Sequence, residues 1–452
     1  MYTVVVRSRS GYVEHTGRRH WWGAVASLGH QRHRGLTTVL QAIFESQWNA
    51  WQDPSMAHVL SGRPETPTQS RILSYVRDEG PLSRMDLAVR LNVSRTTVAA
   101  EVARLVEFGL AQDGGPAESR GGRRSTLVDL DEGLRFVGIE LGATSMRVAV
   151  TDGRLGVLAR SASRCDIRRG PEPVLAEAIE VTRKLLGEQG VERPTGLGIG
   201  VPGPVNFQAG APVSPPIMPG WDQYPVRDAL SRELGCPVLV DNDVNVMALG
   251  EQHTGVARSA SAFLFVKIGT GIGCGIVVDR HLYRGADGCA GDIGHIRSEQ
   301  SGPLCACGNQ GCLEAFFGGA ALARDATAAA RSGRSSALAE MLEDVDELTA
   351  EHVGLAMGQG DAVALQLTRD GGRRVGAALA SLVSFFNPGL IVIGGGVSGL
   401  GHALLAEIRS VIYRQSLPLA TGNLPVVLSE LGGDAGVIGA ARLISDAVYA
   451  TN

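Results

Sequence analysis

No apolar run in these 452 residues reaches the roughly 20 positions that a helix needs to cross a bilayer. The first residues also lack a basic stretch leading into an apolar core and a small-residue cleavage site, so no secretory signal is expected. A cytoplasmic protein without a membrane partner is the expectation. Positive charge is in short supply. Lys+Arg number 42 against 46 Asp+Glu, a net charge of −4. The whole molecule is therefore no electrostatic nucleic-acid binder, and any DNA affinity must come from a local patch. Cysteine is sparse and odd in number, seven in all. Three of them crowd into Cys305–Cys312, which argues for metal chemistry rather than a disulfide framework.

Apolar residues are not lacking. At 44% they allow a large core and exclude global disorder, and the length suits two or three folding units. The 60 glycines cluster in short runs such as Gly269–Gly275 and Gly394–Gly396, the mark of tight turns rather than of a flexible polymer.

Residues 1–65 differ from the rest. They hold Trp21, Trp22, Trp48 and Trp51, four of the five tryptophans, yet show no persisting helical or strand period. The segment is expected to be unstructured or a translated upstream extension, with the native start at Met56; a docking segment is the alternative. Residues 66–130 are expected to form one domain and 135–450 another. In the latter, β runs alternate with helical patterns from Phe136 onward, which predicts an α/β architecture. Phe136–Val150 and Phe263–Val278 resemble each other as apolar run, Gly/Thr turn and apolar run, and so suggest two similar lobes.

The first of these domains reads as three helices and a hairpin. Helix one is expected over roughly Gln69–Asp78, helix two over Arg84–Leu91 behind Ser83 as N-cap, and helix three over Arg95–Phe108 behind Ser94, stopped by Gly109. Val98, Val102, Leu105 and Val106 are assigned to the core face of helix three. This leaves Arg95, Thr96, Thr97, Ala100 and Arg104 outside it. Small and basic residues at a helix start can enter a major groove and reach base edges. The hairpin that follows carries Arg120, Arg123 and Arg124 around Gly121-Gly122, suited to phosphates or the minor groove. A ligand-free helical bundle is the plainer reading, and the basic glycine wing shifts it to double-stranded DNA. Nine Arg against seven Asp+Glu over residues 66–125 add only a small excess. A two-fold operator needs two such readers, so a homodimer or a tetramer assembled through the second domain is expected.

Gly291-Asp292-Ile293-Gly294-His295 precedes Cys305-Ala-Cys307-Gly-Asn-Gln-Gly-Cys312-Leu-Glu314. Three thiolates and one imidazole make the closed ligand set of a structural zinc: His295, Cys305, Cys307 and Cys312. Gly308 and Gly311 let the loop fold back. This string resembles the signature of the ROK family of repressors, open reading frames and sugar kinases, GE-x-GH followed by C-x-C-G-x-x-G-C-x-E. The resemblance covers most of residues 66–445. It implies a winged helix-turn-helix ahead of a two-lobed, actin-like sugar-kinase (ribonuclease H-like) fold. It also implies sugar contacts at Asn242, Asp243, Asp292, His295 and Glu314, with Asp243 as the catalytic base in a kinase. His295 would then turn one ring nitrogen to zinc and the other to sugar. Family members carry Glu where this chain has Asp292, a side chain about one methylene shorter.

The resemblance further implies ATP and magnesium in the cleft of a kinase, held by two glycine turns. The second turn, Gly269-Thr270-Gly271-Ile272-Gly273, is intact, and Gly394-Gly395 resembles the adenosine-side segment. The first departs from the kinase pattern D-x-G-x-T followed by Lys or Asn. Here Glu140-Leu-Gly142-Ala-Thr144-Ser145 puts Glu for the Asp and Ser for the basic or amide residue. Phosphoryl transfer depends on positioning and charge neutralisation, which both changes impair. The expectation is a transcriptional regulator of carbohydrate genes, a repressor, that responds to a sugar or sugar phosphate. An ATP-dependent, glucokinase-like sugar kinase or a bifunctional protein is the alternative.

Overall fold

The computed structural model describes residues 5–8, 11–14, 63–116 and 126–451, and it divides into one unit at residues 1–57 and a larger one at 58–452. In the first unit, β1 (Val5–Ser8) pairs antiparallel with β2 (Gly11–Glu14). The sequence shows no period there because four residues are too few to display one. Met56, the four tryptophans, and Arg120, Arg123 and Arg124 lie outside the described residues.

The larger unit opens with α1 (Pro67–Glu79). Thr66 accepts from the Gln69 amide, Pro67 fills the first turn, and Gly80 at φ +92° ends the helix. After β3 (Leu82–Ser83), Ser83 caps α2 (Arg84–Leu91) through the Asp86 amide, and Asn92 stops it in the left-handed region. Ser94 caps α3 (Arg95–Glu107) through the Thr97 amide. β4 (Ala111–Pro116) and β5 (Thr126–Leu130) complete a small sheet of order β3-β5-β4. Val98, Val102 and Leu105 are buried, but Val106 is 43% exposed. At 100° per residue it lies about 80° around the helix from Val98, off the buried stripe. Its assignment to the core face is corrected accordingly.

Two five-stranded sheets follow. The first has the order β12-β9-β6-β7-β8. It consists of β6 (Phe136–Leu141), β7 (Ser145–Thr151), β8 (Val157–Arg164), β9 (Gly196–Val201) and β12 (Val238–Asn242). Its helices are α4 (Pro171–Glu188) and α5 (Val226–Leu234), and a short pair, β10 (Val205–Asn206) and β11 (Ala211–Pro212), lies between them in sequence. Directly after β12 comes α6 (Asp243–His253).

The second sheet has the order β15-β14-β13-β16-β17. It consists of β13 (Phe263–Ile268), β14 (Ile272–Val278), β15 (His281–Tyr283), β16 (Ile391–Gly394) and β17 (Val426–Leu428). Helices α7 (Leu313–Phe317), α8 (Gly319–Arg331), α9 (Ser336–Glu343), α10 (Ala350–Gly358) and α11 (Ala362–Phe386) precede β16. Helices α12 (His402–Gln415), α13 (Pro418–Thr421) and α14 (Asp434–Val448) follow it. In each sheet a central strand pairs antiparallel with the strand after it and parallel with a later one: β6 with β7 and β9, β13 with β14 and β16. The two lobes are thus built alike, as the paired strand–turn motifs suggested. Each has its own apolar core.

Helix α14 returns across the molecule and meets α6 backbone to backbone. A Cβ on Gly439 would stand 1.6 Å from the Val246 carbonyl oxygen, and one on Gly250 2.0 Å from that of Ala435. Only glycine permits this approach. The far ends of both helices meet α1. Arg77, buried, donates to Ser445 at 2.9 Å and pairs with Asp446 at 2.7 Å, with its guanidinium over the Tyr449 ring. Arg442 pairs with Asp78 at 2.9 Å and donates to Nδ1 of His253 at 2.9 Å. Only Arg77 is buried, its partners Asp78 and Asp446 being partly exposed, but a buried guanidinium stripped of its partners is costly, so this clasp resists separation of α1 from the lobes. Among the described residues no helix is long and apolar enough to span a membrane.

Candidate functional site

All five candidate sugar contacts, Asn242, Asp243, Asp292, His295 and Glu314, line one cavity of about 300 Å³ between the lobes. Their elements explain the convergence. Strand β12 ends at Asn242 and α6 begins at Asp243, so both residues sit at a strand-to-helix corner. Asn242 caps α6 by accepting from the Val244 amide at 2.9 Å, and its Nδ2 donates to Gly203 O at 2.9 Å. Its amide is therefore partly engaged in shaping the corner. The corner is braced from beneath by buried Asp241, which accepts from Asn245 Nδ2 at 2.8 Å and pairs with Arg284 at 2.7 Å. Arg284 in turn stacks over Phe207 at 4.1 Å.

Glu314 enters from α7 and accepts from the Ile272 amide at 3.0 Å. This joins the second glycine turn to the cysteine loop. Burial pushes the Glu314 carboxyl above its ordinary range. Burial does the same to Asp292, against the pull of His295. The His295 Nε2 stands 3.9 Å from Asp292 Oδ1 on the cavity side. Its Nδ1 faces Cys305 Sγ at 3.5 Å. Cys307 and Cys312 sulfurs are 3.8 Å apart, and the ligand atoms of all four residues fall within 4.8 Å of one another. Gly308 at φ +88° and Gly311 at φ +79° turn the loop back on itself. A Cβ on Gly311 would reach within 2.1 Å of the Glu299 carbonyl oxygen. These four side chains are placed to hold one metal ion.

The candidate phosphate residues divide. Thr270, Gly271 and Gly273 line the same cavity, while Glu140, Gly142, Thr144, Gly269, Gly394 and Gly395 lie outside its lining. Gly142 closes the first turn by donating to Ser145 O at 2.7 Å, and Gly269 the second by donating to Gly271 O at 2.9 Å. Gly395, at φ +87°, packs so close to β13 that a Cβ would meet Ile268 O at 2.5 Å. Its role in the fold is therefore plain without a nucleotide. Asp243 has both oxygens engaged. Oδ1 accepts from the Val244 amide at 2.8 Å, and Oδ2 accepts a short hydrogen bond from Lys267 Nζ. Burial lowers the Lys267 pKa, but Asp243 and Glu140 outweigh it and hold the ammonium above its ordinary value. Burial raises Glu140, against the pull of Lys267 and Arg147.

Sequence reasoning missed Lys267, Arg147, Asp241 and Arg284. The available signal was a lone charge inside each apolar strand: Lys267 in Phe263–Ile268 and Arg147 in Ser145–Thr151.

On the reader, Arg95, Thr96, Thr97, Ala100 and Arg104 are all exposed along α3. The Arg95 guanidinium lies 3.1 Å from Met85 Sδ on α2. Arg104 is engaged by Glu107 at 2.8 Å and Glu65 at 3.3 Å. Arg123 and Arg124 fall outside the described residues.

Residues 136–447 match the ROK family, and residues 66–124 match the MarR family. A xylose repressor of Caldicellulosiruptor bescii is 29% identical over 379 residues, 83% of this chain and 94% of that protein. A glucokinase of Thermotoga maritima is 31% identical over 315 residues, 70% of this chain and 98% of the enzyme. Among solved structures, a ROK family transcriptional regulator described as a homolog of the E. coli MLC protein superposes with a TM-score of 0.72 at 28% identity, over 84% of this chain and 96% of its own. A ROK family glucokinase from Streptomyces griseus, solved with glucose and AMPPNP, gives a TM-score of 0.61 at 31% identity, over 68% and 98%.

Proposed function

The chain belongs to the ROK family, and we propose that it is a sugar-responsive transcriptional repressor of carbohydrate genes, acting in the cytoplasm on double-stranded DNA. One observation carries the reading: a winged helix and a polar cavity lined by the three carboxylates of Asp243, Asp292 and Glu314, the Asn242 carboxamide and the His295 imidazole occupy one compact unit, joined through the clasp of Arg77, Asp78, Arg442 and Asp446. The cavity is at the small end of the ~300–1,000 Å³ range of small-molecule pockets, the size for a monosaccharide. Asp243, Asp292 and Glu314 supply acceptors for sugar hydroxyls, and His295 supplies one ring nitrogen. The similarity to a xylose repressor and to glucokinases makes xylose and glucose the first ligands to test.

The reader contacts DNA through Arg95, Thr96, Thr97 and Ala100 at the start of α3, with Arg123 and Arg124 in the wing on phosphates. Arg104, held by two carboxylates, contributes least. A two-fold operator requires two readers, so the working form is a homodimer or a dimer of dimers. The test begins with duplexes selected from random DNA by the purified full chain. Binding is then titrated with and without D-xylose, D-glucose and their phosphates. Arg95→Ala is expected to weaken DNA binding by about 1–3 kcal/mol with sugar affinity unchanged. If no sugar in that panel alters DNA affinity, the sensor reading falls. A monomer by light scattering at DNA-binding concentrations would remove the dimer.

We assign zinc to His295, Cys305, Cys307 and Cys312. Tetrahedral zinc with bonds of about 2.3 Å to sulfur and 2.0–2.1 Å to nitrogen has S···S edges of about 3.8 Å and S···N edges of about 3.5 Å. Two of the six separations, 3.8 Å for Cys307–Cys312 and 3.5 Å for Cys305–His295, match those edges, and all six lie within 4.8 Å. Zinc would order the loop that ends at Glu314 and leave the His295 Nε2 for the cavity. Cys307→Ser should lower metal content and sugar affinity together. Metal analysis finding no zinc in fresh protein would refute the assignment.

A further inference from the structure

We infer that the phosphate half of the cleft is closed to magnesium, and so to the magnesium nucleotide that phosphoryl transfer needs, by two cations of the chain itself, Lys267 and Arg147, so that the pocket binds sugar without that ion. The inference rests on the reading of the cavity as a sugar site.

Two carboxylates stand where the kinase pattern places its acid residues, Glu140 at the end of β6 and Asp243 at the head of α6. Neither is open to a metal. Asp243 is 7% exposed at the side chain, with Lys267 Nζ on Oδ2 and the Val244 amide on Oδ1. Glu140 is 4% exposed, and its carboxyl lies over the backbone of α14, where a Cβ on Gly436 would come within 2.5 Å of it. Arg147 Nη1 stands 3.6 Å from Glu140 Oε2, near enough to neutralise it but beyond hydrogen-bond range, and Oε2 has no hydrogen-bond partner. Two negative and two positive groups therefore balance without any ion. Magnesium demands oxygen ligands at about 2.0–2.1 Å in a near-octahedral shell. An ammonium already seated on Asp243 takes up one face of that shell and repels the divalent charge. Magnesium thus does not fit the residues present, and no phosphoryl step is derived through it.

The same pair sets what Asp243 does to sugar. A carboxylate that already accepts from an ammonium still accepts from a sugar hydroxyl, but it is a weaker base toward that proton. Lys267 is therefore a specificity-determining residue. It keeps the sugar-binding acceptor and takes the oxygen a metal would need.

The experiment uses the full chain with Mn²⁺ as probe, followed by electron paramagnetic resonance with and without AMPPNP. Affinities for D-xylose and D-glucose are measured separately by calorimetry. In the unmodified protein, Mn²⁺·AMPPNP should show no saturable binding up to millimolar concentration. Sugar affinity should be the same in buffer without magnesium or nucleotide as in magnesium with AMPPNP, within twofold. Lys267→Met should gain Mn²⁺ binding, at least tenfold tighter. Arg147→Met, at a partly exposed position that tolerates change better, gives a second reading should the first variant fail to fold, and is expected to gain in the same direction. Micromolar binding of Mn²⁺·AMPPNP to the unmodified protein would overturn the inference, as would two folded variants that bind Mn²⁺ no better than it does. Loss of sugar binding in the unmodified protein, with the manganese results as expected, would instead remove the sugar reading and leave the charge closure standing.

Discussion

The two halves of the interlobe cleft have diverged. On the side proposed for sugar, Asp243, Asp292, His295 and Glu314 face one cavity, and the corner at Asn242 is braced by Asp241 and Arg284. On the phosphate side, Glu140 faces Arg147, the shared Asp243 holds Lys267, and Gly142, Gly269 and Gly395 serve hairpin closure and strand approach. Binding and chemistry place separate demands on a kinase cleft. Recognition needs acceptors and donors of the right reach, whereas phosphoryl transfer also needs an uncovered charge site at one spot. A few substitutions in the second set suffice to leave a receptor behind.

The comparison breaks most completely if the protein turns over ATP. Kinases of ordinary efficiency run at ~1–100 s⁻¹. With xylose or glucose and magnesium, a coupled ADP assay is expected to read at least a thousandfold below that range. An ordinary turnover would make the two halves equivalent again and the protein bifunctional.

Next in size is the loss expected on the sugar side. Asp243→Asn keeps the volume but removes the charge that Lys267 and a sugar hydroxyl share. Hydrogen bonds to charged groups are worth about 1.5–3 kcal/mol. Sugar affinity should fall by about ten- to a hundredfold in calorimetry, while sugar-free DNA binding stays intact. A normal sugar response in this variant would show that the pocket is elsewhere.

The third effect tests the support that both halves share. His253, at the end of α6, accepts from Arg442 on Nδ1, and its Nε2 lies 3.3 Å from the Arg154 carbonyl oxygen. Burial, with Arg442 and Arg77 adding to it and Asp78 opposing, lowers its pKa from 6.5 to about 4. The folded state thus holds the neutral ring while the unfolded chain takes up a proton below pH 6.5. Stability contributed by this group is full above that pH and is lost as pH falls toward 4. Between pH 6.5 and 5 the loss should be about 1–2 kcal/mol in denaturant titrations. His253→Gln should flatten that slope, and an unchanged slope would place the titrating group elsewhere.

The smallest effect sharpens the contrast. Thr144 is exposed in the first turn, outside the cavity lining. Thr144→Val should change sugar affinity and stability by less than about 0.5 kcal/mol. A tenfold loss of sugar affinity would mean that the phosphate side still serves the ligand.

Much of this was legible from local pattern. The capping serines Ser83 and Ser94 located their helices, because a cap acts within three residues. The His295–Glu314 string announced its cluster because its ligands are close in sequence. The paired hairpins of the two lobes were visible because each repeats one compact motif. What escaped notice depends on partners distant in the chain. Lys267 meets Asp243 across 24 residues and between lobes, and Arg442 meets Asp78 across 364. Nothing in the strand Phe263–Ile268 says which carboxylate its lysine will find. Asn242 was readable as a polar group at the site, but its division between helix cap and cavity wall depends on Gly203, 39 residues away. Val106 shows the cost of reading a helical stripe too wide.

Helix α6 has one further consequence. Its eleven residues make a rod of about 16 Å at 1.5 Å per residue. Asp243 is at one tip and His253, beside the α1 clasp, at the other. The glycine contacts with α14 leave no side-chain layer between the two helices to cushion sliding. The pair spans from the cavity to the root of the DNA reader as one close-packed unit.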